Sequence, residues 1–178
     1  MWHNVYSAVQ IDADLACGAV LLRKLSMKSK GWGFRMTFLQ VMDVAGIVAV
    51  ASLFGSMLFF SCIVAPLVFV ELEAATAGRF IRRLFPWYYA VVGGLALLSA
   101  VCMAGGRSLD AIVMTLVLLG AVLLRQILMP RINRHRDRMV AGDAAAEAPF
   151  ERLHKVSVWI NGVQLLAALT VLIRLALY

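Results

Sequence analysis

The chain has 178 residues, 62% hydrophobic and only 15% charged, with a formal net charge of +7. Soluble domains carry roughly 45–50% apolar and about 25% charged residues, so in water this chain would have to display large apolar patches. A bilayer removes that difficulty. The basic balance fits nucleic-acid binding or the cytoplasmic loops of a membrane protein, and the positions of the charges decide between them.

Residues 1–35 do not read as a signal peptide. Asp12 and Asp14 interrupt the place of an apolar core, and Arg23, Lys24, Lys28, Lys30 and Arg35 follow it instead of preceding it. Leu15-Ala16-Cys17-Gly18 is faintly like a lipoprotein cleavage box, but Asp14 occupies its aliphatic position. Met36 stands directly before the first apolar run, so translation is expected to begin there. Residues 1–35 then form an extension apart from a membrane domain over 36–178. The alternative is a short amphipathic surface helix near 13–26, with the N-terminus inside.

Crossing a hydrocarbon core of about 30 Å takes about 20 apolar residues. The first stretch is uncharged from Val44 to Val70, and Pro66 is expected to kink or end the helix, which places a span at about 41–65. Leu67 to Phe85 mixes Glu71, Glu73, Arg79, Arg82 and Arg83 with Leu72, Phe80, Ile81 and Leu84, as in a helix lying on a membrane surface. The second span, about 86–105, opens on Pro86 in a first turn and on the interfacial aromatics Trp87, Tyr88 and Tyr89. The third, about 109–129, contains Arg125, whose head is expected to reach the interface. A long loop over 130–155 is basic at first, and Phe150 to Lys155 begins a helix that becomes the fourth span, about 155–176. The predicted fold is an all-α integral membrane four-helix bundle with an amphipathic surface helix between spans one and two.

With residues 1–35 set aside, whose five basic residues conflict with it, the loops 66–85 and 130–155 hold most of the lysines and arginines, which predicts that they face the cytoplasm of a bacterial inner membrane and that the C-terminus lies outside. The run Arg131 to Arg138 then meets anionic lipid instead of nucleic acid.

Two faces carry the candidate residues. Ala45, Ala49, Ser52 and Ser56 form a small-residue stripe on span one, suited to close helix packing. His154, Ser157, Asn161 and Gln164 share a face of span four. Polar groups inside a bilayer turn toward protein or water, so this face either hydrogen-bonds other helices, Arg125 among them, or lines a polar pocket. Asp43 reads as interfacial. Cys17, Cys62 and Cys102 match no metal-binding spacing. The nine methionines show no copper-like clustering, and His3, His135 and His154 are too few and too scattered for a two-histidine haem site. No cofactor, metal or catalytic set is expected.

Gly55, Phe59-Phe60, Ala65-Pro66, Val68-Phe69, Ala77-Gly78-Arg79-Phe80 and Leu84-Phe85-Pro86-Trp87-Tyr88-Tyr89 come in order. Arg125, Met129-Pro130, Arg136-Asp137, Phe150, Leu153-His154, Ser157 and Asn161 follow. Over about 38–177 this resembles the transmembrane-protein-205-like family, a membrane domain family of unknown function. Pro66, Gly78, Arg79, Phe85, Pro86 and Tyr88 are the most telling positions. The resemblance implies a four-helix membrane domain without a settled activity. A eukaryotic relative's association with resistance to platinum drugs suggests trafficking or export. A more distant similarity to the copper-resistance D type of membrane protein meets the shortage of histidines.

The favoured function is non-enzymatic: small-solute export or envelope homeostasis. The alternatives are a haem- or copper-linked membrane redox protein and an accessory subunit of a membrane complex. The expected partners are the lipid bilayer and, beside it, further copies or other membrane proteins, with no nucleic acid.

Overall fold

The structure, a computed structural model, describes residues 37–177. The expectations for residues 1–35 and for a start at Met36 lie outside the described residues. The chain divides into two compact units, Met1–Val41 and Met42–Tyr178, and the core of the bundle lies in the second.

Among the described residues, four helices are long and apolar enough to cross a membrane. They are α1 (Thr37–Glu71), α2 (Ala74–Met103), α3 (Ser108–Val140) and α4 (Glu147–Leu177), the last preceded by a short 3-10 turn, Ala144–Ala146. This is the predicted all-α bundle of a multi-pass membrane protein. Apolar side chains at helical spacing meet in one core: Val50, Leu53 and Met57 on α1, Val92, Ala96 and Met103 on α2, Met114, Val117, Ala121 and Leu124 on α3, and Ala168 and Val171 on α4. The outward faces stay apolar, with Leu97 50%, Leu116 62% and Leu166 63% exposed. Hydrocarbon, unlike water, carries no penalty for such faces.

Helices of this length rise about 45–50 Å, well beyond a hydrocarbon core of about 30 Å. The charges show where the excess lies. At the 104–107 turn, Arg107 Nε stands 3.9 Å from Asp43 Oδ1 and Arg174 Nε donates to Asp110 Oδ1 at 2.8 Å. Asp110 is buried and sits in the first turn of α3, where a negative charge suits the helix dipole. About 20 residues further along each helix come positions 63–66, 86, 129–130 and 154–155. Pro66, Pro86 and Pro130 thus lie near one level. Beyond it the helices continue as a protruding, arginine-rich end.

The prolines behave differently from the expectation. Pro66 does not end α1, which runs on to Glu71 through a π-helical segment, Phe60–Val64. Pro130 follows a second π segment, Leu124–Leu128, at the same offset. In both, the residue before the proline donates five positions back, Ala65 N to Phe60 O and Met129 N to Leu124 O. The wider turn gives the ring room that an α-turn denies it. Pro86 lies inside α2, not in a first turn. The amphipathic stretch before it is helical and continuous with α2 from Ala74 onward, so it is no separate surface element. The expected loop over 130–155 is also mostly helix: α3 extends to Val140 and α4 starts at Glu147. Gly142, at φ 92°, makes the turn between them, a conformation that favours glycine.

Candidate functional site

The polar residues of α4 do not gather into one pocket. Asn161 is the centre of a node between α2 and α4: its Nδ2 donates to Tyr89 Oη and to Ser157 O, both at 3.0 Å, and its Oδ1 accepts from Tyr88 Oη at 3.4 Å. Ser157 is buried and turns its hydroxyl to His154 O at 2.7 Å. His154 itself is exposed and stacks on Phe150. Around the tyrosines lies an aromatic collar. Phe60, set by the first π segment, stacks on Tyr88 with centroids 4.2 Å apart, and Phe85 stacks on Tyr89 at 5.6 Å. The collar shields the node, and shielded hydrogen bonds are stronger than wet ones.

Gln164 points elsewhere. Its Nε2 donates to Val117 O at 2.8 Å, and the amide lies across Gly120, where a Cβ would overlap it. Its Oε1 is buried and meets no donor among the described residues. Gly120 is therefore a slot for a side chain of the next helix. Arg136 repeats the device at the basic end: its Nη1 donates to Gly78 O at 2.6 Å, and its guanidinium fills the space of an absent Gly78 Cβ. Neither glycine turns the chain, so the slot role of both is hidden from the sequence. The Ala-Gly-Arg-Phe motif marks Gly78, and nothing local marks Gly120.

Arg125 makes no bond to α4. It is exposed on the second π segment and lines a groove of about 240 Å³ between α2 and α3, with Tyr89, Gly93, Gly94 and Gln126. The small-residue stripe is shifted by about one position. The buried face of α1 is Gly46, Ala49, Val50, Leu53 and Met57, with Ala45 and Ser56 half-buried and Ser52 exposed. Ser56 Oγ donates to Leu53 O at 2.9 Å. Gly46 carries the close approach, since its Cβ would stand 3.3 Å from Met103 and 3.4 Å from Cys102.

The remaining motif residues sit at the basic end. Arg79 Nη2 donates to Thr76 Oγ1 at 3.0 Å, and Pro66 and Pro86 are exposed. Arg82 forks onto Asp137, with Nη1 to Oδ1 at 3.0 Å and Nη2 to Oδ2 at 2.5 Å. That guanidinium holds the Asp137 carboxyl below its ordinary range, and Arg138 does the same for Asp143. The pairs fasten α2 to α3 and close the 141–143 turn. Cys62 is exposed and Cys102 buried, both as free thiols. Among the described residues no three His, Cys, Asp or Glu side chains are placed to hold a metal ion.

Long apolar helices, a shared apolar core and interhelical polar clamps define a multi-pass helical membrane protein. The chain belongs to the family described as a domain of unknown function (DUF4149), whose match covers residues 48–141 and so takes in the collar and both glycine slots but not Asn161. No curated protein and no solved structure matches the chain.

Proposed function

We propose that the chain is a non-enzymatic protein of the bacterial inner membrane, similar to the transmembrane-protein-205-like group, that supports envelope homeostasis with its arginine-rich end in the cytoplasm. The observation that carries this reading is the mutual satisfaction of Tyr88, Tyr89, Asn161 and Ser157. The side chains of Tyr88, Tyr89 and Asn161 bond α2 to α4 while Ser157 bonds within α4, an arrangement suited to a scaffold. The charges support the orientation. At the basic end Arg83, Arg131, Arg134 and Arg152 have no acidic partner among the described residues, whereas Arg107 and Arg174 at the other end face Asp43 and Asp110. The end richer in lysine and arginine stays on the cytoplasmic side. Deleting the chain is expected to sensitise cells to membrane-perturbing detergent, with rescue by the wild-type chain. Unchanged growth of the deletion strain across envelope stresses contradicts the reading. A reporter active only in the cytoplasm should work at the 141–143 turn and fail at 104–107, and the reverse pattern overturns the orientation.

One observation favours small-solute export as a second reading. The unbonded Gln164 Oε1 is a buried acceptor in the middle of α4, and such a group has reason to meet a donor in passage. Vesicles loaded with a small cationic dye should then leak it through the wild-type chain and retain it with Gln164→Leu. Equal release from both counts against export through this point.

A further inference from the structure

The groove between α2 and α3 is apolar along its length and cationic at one mouth. Its α2 wall is Tyr89, Ala90, Gly93, Gly94 and Leu97, and Leu118, Ala121 and Val122 face them from α3. Eight positions on either helix, 89–97 and 118–126, correspond to about 12 Å of rise, so the groove runs from the level of the prolines into the hydrocarbon layer. Arg125 and Gln126 stand at its outer end.

Two observations on this groove are unexplained by the fold. The first is Gly94. A Cβ there would meet nothing within 4 Å, so no neighbouring helix requires the glycine. Its cost relative to alanine is roughly 0.5–1 kcal/mol in a helix interior, and its effect is to leave open space on the lipid-facing side. The second is Arg125. It lies little more than a turn, about 7 Å, inside the level of Pro130. Among the described residues no carboxylate pairs with it, and no hydrogen bond holds it. The arginines beyond the prolines have water around them. Arg125 has hydrocarbon on one side and the interface on the other, and a charge there needs an anion or water. An empty apolar channel leading away from an uncompensated guanidinium is complementary to an amphiphile with an anionic head and a hydrocarbon tail.

We propose that this groove binds one anionic phospholipid, with the phosphate on Arg125 and an acyl chain along Gly93 and Gly94. The site is independent of what the protein does for the envelope. Tyr89 lines the groove and its hydroxyl accepts from Asn161, so the same residue borders both the groove and the interior node.

Native mass spectrometry of the full chain, released from mixed phosphatidylglycerol and phosphatidylcholine bilayers, tests the site. The wild-type chain should retain one phosphatidylglycerol in preference to phosphatidylcholine. Arg125→Gln should lower that preference about fivefold, the effect of one cation near an anionic surface, and Arg125→Lys should restore most of it. Gly94→Leu should reduce retention of both lipids by filling the channel, and a circular dichroism spectrum matching wild type would show that the bundle persists. Arg131→Gln, outside the groove, should leave the preference unchanged. The proposal is overturned if Arg125→Gln keeps the wild-type preference, if Arg131→Gln loses as much as Arg125→Gln, or if Gly94→Leu retains lipid like wild type in a folded bundle.

Discussion

The glycine slots at Gly78 and Gly120 use one device in two solvents. In each, a long polar side chain crosses a glycine of the neighbouring helix and donates to a backbone carbonyl, Arg136 to Gly78 O and Gln164 to Val117 O. The surroundings differ. Arg136 is half-buried among exposed arginines at the protruding end, while Gln164 is buried in the middle of α4 with one amide oxygen unbonded. A displaced guanidinium can swing into water. A displaced amide in the bundle has nowhere to take its hydrogen-bonding groups, and stranding them costs about 1–3 kcal/mol. The same steric insult should therefore be tolerated at one end and punished in the interior.

The largest effect is expected from Gly120→Val, which drives a branched side chain into the Gln164 amide. A loss of about 2–3 kcal/mol, in line with overpacked cores, should appear in reversible unfolding in mixed micelles. Gln164→Met comes next. Polar contacts between membrane helices average about 0.6 kcal/mol, and this one already strands an acceptor, so the change should stay under about 1 kcal/mol. A larger loss would mean that the unbonded oxygen has a partner such as water. Gly78→Ala should be smaller still. The displaced Arg136 guanidinium exchanges its bond to Gly78 O for bonds to water, and the change recovers about 1 kcal/mol of helix propensity.

The smallest effect belongs to the exposed Arg82–Asp137 fork. Because Arg82 lowers the folded pKa of Asp137, the contribution is present above the unfolded value, about 3.9, and is lost as pH falls through the lower folded one. The difference in unfolding temperature between wild type and Asp137→Asn should hold from pH 8 to 5 and shrink below about 4. Shrinkage already between pH 7 and 6 would point to another group.

The bundle was legible in the sequence because hydrocarbon tolerates few charges, and uncharged runs such as Trp87 to Gly106 and Val156 to Ile173 stand out without any knowledge of packing. The fate of the prolines was not legible. Proline breaks an α-turn, but here each of Pro66 and Pro130 follows a wider, π-type turn, and no residue type announces a π segment. The candidate site was half legible. Helical spacing placed Ser157, Asn161 and Gln164 on one face, yet it could not say that Asn161 reaches Tyr88 and Tyr89 on α2 while Gln164 reaches α3. Arg125 shows the limit most clearly: its depth could be read from its distance to Pro130, but not that it lines a groove between α2 and α3 instead of meeting α4.

The contrast between the wet end and the dry interior is tested most directly by one pair of variants, Gly78→Ala and Gly120→Ala, unfolded side by side in the same micelles. Both gain the same helix propensity and both place one methyl group against a polar side chain. The expected result is that Gly120→Ala loses at least about 1 kcal/mol more than Gly78→Ala, the low end of the cost of a stranded polar group. Equal losses, or a greater loss at Gly78, would contradict it.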